Sequence, residues 1–153
     1  MPPNLKTEYA KRKSWNYRLH GFRSTLKGWS RFDFVKAIEK EDSIQKDLNG
    51  SLFIKEPEKT VYIFHTPPDN TNLDQRYDGS HVGSMAVRSF IEEHQPYLTL
   101  HGHIHETVDV SGDFMEIMGN SISLSAGNDD FGNNLCILTF DLYNPKKARR
   151  VIV

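Results

Sequence analysis

The chain has 153 residues and a mass of 17.6 kDa, one domain of ordinary size, with 37% hydrophobic and 25% charged residues and a mean hydropathy of −0.58. No run approaches the roughly 18 apolar residues of a membrane helix, residues 1–10 carry no apolar signal core, and the lone Cys136 cannot close an internal disulfide. Membrane-spanning, collagen-like and disulfide-rich classes are excluded, and the expected location is the cytoplasm.

The net charge of −1 conceals a split: residues 1–31 hold eight Lys or Arg against Glu8, and the remaining residues hold eleven bases against nineteen acids. Residues 1–31 read as an irregular basic segment in which Trp15, Tyr17, Phe22 and Trp29 alternate with positive charges, while Gly21 and Gly28 interrupt any period. Aromatics among arginines can stack on single-stranded nucleic acid. Without a helix-turn-helix, zinc-finger or RNP pattern, packing into a neighbouring core is the favoured reading and nucleic-acid binding the lesser one.

From residue 32 the pattern becomes that of a folded α/β domain, giving a division into 1–31 and 32–153. Residues 34–49 carry Phe34, Ile38, Ile44 and Leu48 near helical spacing, with Asn49-Gly50 as a stop. Residues 60–65 are β-branched and aromatic on both sides, the signature of a strand buried on two faces. Thr66-Pro67-Pro68 ends that strand, and a polar loop runs to Ser80. A second helix is expected over 81–94, stopped by Pro96, and a short strand over 97–100. Beyond it, strands at 107–110, 114–118, 121–125, 135–142 and 148–153 read as a largely antiparallel meander. Gly112, Gly119, Gly127, Gly132 and Asn144-Pro145 mark its turns.

The chemistry concentrates in histidine. Six of the seven histidines lie between residues 65 and 105, with His65 following one strand and His103 and His105 following another. Strand ends of α/β sheets are where ligand sites collect. In an extended segment positions i and i+2 point the same way, so His103 and His105 are expected to face one site. Gly102 before them is expected to let the backbone turn closely. Neutral imidazole suits zinc, manganese, iron and nickel. His101 and Glu106 are expected to support the ligands from behind, Glu106 by accepting an imidazole N–H. Asp69, Asp74 and Asp78 in the loop are read as solvated turn residues in preference to metal ligands. Cys136 is read as core.

Phe64-His65-Thr66-Pro67-Pro68 and Leu100-His101-Gly102-His103-Ile104-His105-Glu106 resemble motifs of the calcineurin-like metallophosphoesterases. Asn72-Leu73-Asp74, His81-Val82-Gly83-Ser84 and the stretch from Gly119 to Gly127 add to the likeness. The resemblance implies part of a two-sheet β-sandwich flanked by helices, with a dinuclear centre of divalent ions (Mn, Fe, Zn or Ni) at the strand ends. It makes His65 a ligand of one metal, gives His103 and His105 one metal each, and places Gly127 in the turn after the next strand. It also implies hydrolysis of phosphomonoesters or phosphodiesters by a metal-activated water.

The family's earlier motifs, Asp-X-His, Gly-Asp-X-X-Asp and Gly-Asn-His followed by an acid, do not occur before His65. The chain therefore reads as the C-terminal half of such an enzyme, incomplete in fold and site. Two divalent ions about 3.5–4 Å apart need carboxylates to neutralise them; three neutral histidines supply none, so this chain alone would hold at most one ion. No catalytic residue is assigned. Completion would come from an upstream half, a partner chain or a second copy, any of which, like residues 1–31, could also cover the strand at 60–65. No membrane partner is expected. The alternatives are an inactive metal-binding or scaffold protein whose basic arm engages an acidic partner or nucleic acid, and a mononuclear zinc hydrolase with three histidine ligands.

Overall fold

The computed structural model describes residues 20–33, 44–50, 54–128 and 134–153, which divide between two units, Met1–Ser43 and Ile44–Val153. In the first, the basic segment is not irregular throughout. Strands β1 (His20–Thr25) and β2 (Gly28–Asp33) form an antiparallel hairpin with Thr25 opposite Gly28. Gly28 leaves the turn at φ +109°, which a residue with a Cβ adopts only under strain. Phe22 and Trp29 are largely exposed instead of tucked into a core. Trp15, Tyr17 and the first part of the expected 34–49 helix lie outside the described residues.

The second unit is mixed α/β. Its elements are α1 (Ile44–Leu48), β3 (Val61–Phe64), α2 (Met85–His94), β4 (Leu98–His101), α3 (Thr107–Ser111), β5 (Met115–Met118), β6 (Ser121–Ser125), β7 (Cys136–Asp141) and β8 (Asn144–Ile152). The four-stranded sheet has the order β3-β4-β6-β5, with β5 antiparallel to β6 and the other pairs parallel. A parallel pair needs a crossover, and α2 supplies the one between β3 and β4. Ser84 caps α2 by accepting the Val87 N–H, and Gln95, in the left-handed region, returns its N–H to Ile91 before Pro96. The helix starts later than the sequence pattern suggests because Ser84 is bridged to Pro68 and His81 to Gln75.

Each face of this sheet has its own cover. On one, Tyr62 and Phe64 of β3 pack with Val87, Phe90 and Ile91 of α2 and with Leu48 of α1. On the other, Leu98, Ile122 and Leu124 are covered by Leu138, Phe140 and Ala148 of the β7–β8 hairpin. Burying a side chain of this size contributes about 1.5–3 kcal/mol. The expectation that β3 is buried on two faces fails on the hairpin side. The strand is an edge of the sheet, and Ile63 is 80% exposed.

Two further expectations are corrected. Residues 107–110 are not a strand but begin the short helix α3. Their alternation of apolar and polar residues imitates a strand, but the Thr107 hydroxyl is fixed by Asn72 and Gln75, and Gly112 at φ +79° ends the turn. β8 begins at Asn144, so the hairpin reverses at Leu142-Tyr143 and Pro145 lies buried inside the strand. Among the described residues no helix is long and apolar enough to cross a membrane.

Candidate functional site

β3 and β4 run parallel with Phe64 opposite His101, so the turns beyond them start side by side. The Gly102 N–H donates to the His65 carbonyl at 3.2 Å. His65 and His103 then meet: Nε2 of the first lies 2.9 Å from Nδ1 of the second, with the rings 4.7 Å apart and inclined at 63°. Both side chains are exposed.

His103 has φ +72°, a left-handed conformation uncommon outside glycine and concentrated at functional sites. The segment is a turn leading into α3, so the alternation expected to bring His103 and His105 to one side does not operate. Among the described residues no three His, Cys, Asp or Glu side chains converge on a metal position. Nor does crowding require Gly102: a Cβ there would sit 3.7 Å from the His65 carbonyl, an ordinary contact. The tight position is Gly127, in the turn after β6. There a Cβ would come within 2.7 Å of Val108 and 3.1 Å of the His105 carbonyl.

His101 lies behind the pair. It is buried and stacks on Phe64 with the ring centres 5.8 Å apart. Burial pushes its pKa down to about 4, so the ring is neutral near pH 7. Its Nδ1 faces the Thr66 carbonyl at 3.0 Å, and a carbonyl only accepts, so Nδ1 carries the proton. Nε2 must then accept from the Thr99 hydroxyl at 2.7 Å, and Thr99 in turn accepts from Ser123 at 2.7 Å. The bonds run in one direction, from Ser123 through Thr99 and His101 to Thr66. The contact of His101, expected from the sequence to support the ligands, is with the backbone next to His65 and not with an imidazole. The Glu106 carboxylate lies 3.7 Å from Arg76 Nε.

The loop after β3 is organised by a residue the sequence misplaces. Asp74 is not a solvated turn acid but is completely buried. One carboxylate oxygen accepts from the Asn70 and Gly83 N–H groups, the other from the Thr71 N–H and from His81 Nδ1 at 2.6 Å. With those acceptor sites used, Asp74 is a clamp between the two ends of the loop. Gly83 is required at the crossing, because a Cβ would lie 2.6 Å from the Pro68 carbonyl. The available signal is an aspartate following Asn70-Thr71 by the three- and four-residue spacing of local side-chain to backbone bonds. Asp78 does behave as an exposed turn residue. The Ser80 hydroxyl and N–H bond its carboxylate and hold it below the usual carboxylate range. Beside the loop, His81, Asp69 and Glu92 help to line a groove of about 510 Å³.

Compared with protein-family models, with curated proteins and with solved structures, the chain matches none.

Two imidazole nitrogens bound to one ion at 2.0–2.1 Å and at right angles would stand about 2.9 Å apart, the separation found between His65 Nε2 and His103 Nδ1. The same separation is that of a hydrogen bond between the rings, one donating and the other accepting. A single ion in place of that proton would suit the two donors. A second ion would need a bridging carboxylate, and no such His, Asp and Glu cluster forms among the described residues.

Proposed function

We propose that the chain contributes to the metal centre of a metal-dependent phosphoesterase, with the four-stranded sheet and the β7–β8 hairpin as part of a two-sheet sandwich of the calcineurin-like kind. The observation that carries this reading is the meeting of His65 and His103 at the ends of adjacent parallel strands. These two imidazoles would hold one divalent ion, manganese, iron, zinc or nickel, with His105 two residues further along the chain. The ion supplies the activation of a water and the neutralisation of phosphoryl charge. The chain's residues supply position: the bond from Gly102 to the His65 carbonyl fixes one turn against the other, and Gly127 leaves room beside His105. Carboxylates for a second ion, and a group to protonate the leaving oxygen, would come from an upstream segment, a partner chain or a second copy. The substrate class is a phosphomonoester or phosphodiester.

The test is calorimetric titration with Mn²⁺ and Zn²⁺, followed by hydrolysis of p-nitrophenyl phosphate and bis(p-nitrophenyl) phosphate. One ion per chain in the wild type, lost in His65→Ala and His103→Ala, supports the metal site. Unchanged binding in both variants would sink it.

A second reading, a metal-binding or scaffold protein without catalysis, is favoured by one feature. Asp74, an acid close to the site in sequence, is buried and committed to loop bonds. Stoichiometric metal without turnover of either substrate, with or without added partner, would select it.

A further inference from the structure

We propose that His101 is a positioning residue for the His65–His103 pair, acting through a one-way hydrogen-bond chain anchored in the buried strands. This inference rests on the metal-site reading above. The residues that precede His103 clamp the two carbonyls that follow β3: the Gly102 N–H takes that of His65, and His101 Nδ1–H takes that of Thr66. The two imidazole-bearing turns are thereby tied together by bonds at 3.2 and 3.0 Å, and the peptide between His65 and Thr66 cannot rotate without breaking one of them.

The anchor extends inward. Thr99 Oγ and Ser123 Oγ are fully buried on β4 and β6, which pair with Thr99 opposite Ser123. The Thr66 carbonyl fixes which ring nitrogen of His101 carries the proton, and the Thr99 hydroxyl holds the other end of the ring by donating to Nε2, which keeps the donor aimed at Thr66. Outward, the chain ends beside a residue whose partner, His103, sits in a strained left-handed conformation. Such a conformation persists only where its surroundings over-determine it. Groups that hydrogen-bond a metal ligand directly are worth 10–100-fold in metal affinity, and His101 acts one peptide removed from His65.

The experiment uses the full chain and Co²⁺ as the probe, with affinity and the visible absorption spectrum as readouts, and a metal-free readout in the histidine side-chain ¹⁵N spectrum. His101→Leu removes both bonds. His101→Asn keeps an N–H near the position of Nδ1. Thr99→Val leaves His101 in place but removes the hydroxyl that holds its Nε2. With unchanged far-UV circular dichroism, His101→Leu should weaken Co²⁺ by about 10-fold, the low end of that range, and abolish the His65–His103 contact in the ¹⁵N spectrum. His101→Asn should restore most of both, and Thr99→Val should lose less than Leu. A merely structural histidine would shift stability and leave the absorption spectrum and the Asn rescue unexplained. Wild-type-like affinity and contact in His101→Leu would overturn the inference. If the wild type itself binds no Co²⁺, the metal-site reading fails, and the ¹⁵N contact alone decides the positioning role. Should His101→Leu not fold, Thr99→Val decides: an undisturbed His65–His103 contact there overturns the inference.

Discussion

The two faces of the central sheet do different work. The hairpin face is hydrocarbon: Leu98, Ile122 and Leu124 meet Leu138, Phe140 and Ala148, and these residues include no hydrogen-bonding side chain. The helix face alternates aromatics with a polar row, so that Tyr62 and Phe64 stand beside Thr99, His101 and Ser123. Hydrocarbon packing is non-directional and holds the strands together. A buried polar row is directional and can hold one atom in one place. In this molecule the directional face is the one that leads to the histidine turns.

Substitutions and pH should separate the two faces. The largest effect is expected at the loop clamp: Asp74→Ala leaves three buried or half-buried N–H groups and His81 without their acceptor, and should cost about 3–5 kcal/mol in urea unfolding. Leu124→Ala on the hydrocarbon face should cost about 2–5 kcal/mol, and Co²⁺ affinity of the remaining folded protein should stay unchanged. A parallel loss of affinity would show that the two faces are not separable.

pH should act on the helix face through His101. Its folded pKa, about 4, lies below the unfolded value of 6.5, so the unfolded chain binds the proton first as pH falls. The stability is complete above about pH 6.5, falls between 6.5 and 4, and levels off below; the span is about 3 kcal/mol. Urea unfolding across that range should show the slope in the wild type and its loss in His101→Asn. The smallest effect is expected at the uncovered edge. Ile63→Lys should change stability by less than about 0.5 kcal/mol while reducing self-association in sedimentation at high concentration, because a charge blunts an open strand edge.

The fold was legible where local chemistry and tertiary context agree. β3 falls close to where its β-branched and aromatic run puts it, β4, β5 and β6 close to where short apolar stretches between turn residues put them, and α2 where its apolar face and Pro96 put it. Legibility failed where a long-range contact decides. Thr107 to Val110 alternate like a strand but are bent into α3 by bonds from residues more than thirty positions away. At the site, the convergence of His65 and His103 follows from strand ends, which a sequence displays. The left-handed φ at His103, which replaces the extended run and its i, i+2 alternation by a turn, is something no spacing encodes. Asp74 was missed for a similar reason: in a polar loop, a buried acid and a solvated one are spelled alike.

The hairpin also bears on how the molecule is made. It is fastened at its tip by the Tyr97 hydroxyl on the Leu142 carbonyl, within β8 by Arg150 on the Ala126 carbonyl, and at its base by the Asn128 side chain on the Cys136 N–H. All three fasteners join it to segments earlier in the chain. At a synthesis rate of about 5–20 residues per second, the apolar side of β4 and β6 is bare on the ribosome for seconds before residues 134–153 arrive to cover it. A nascent chain paused there would present a greasy sheet to whatever chaperone is nearest, and the closing hairpin would end that exposure in a single docking event.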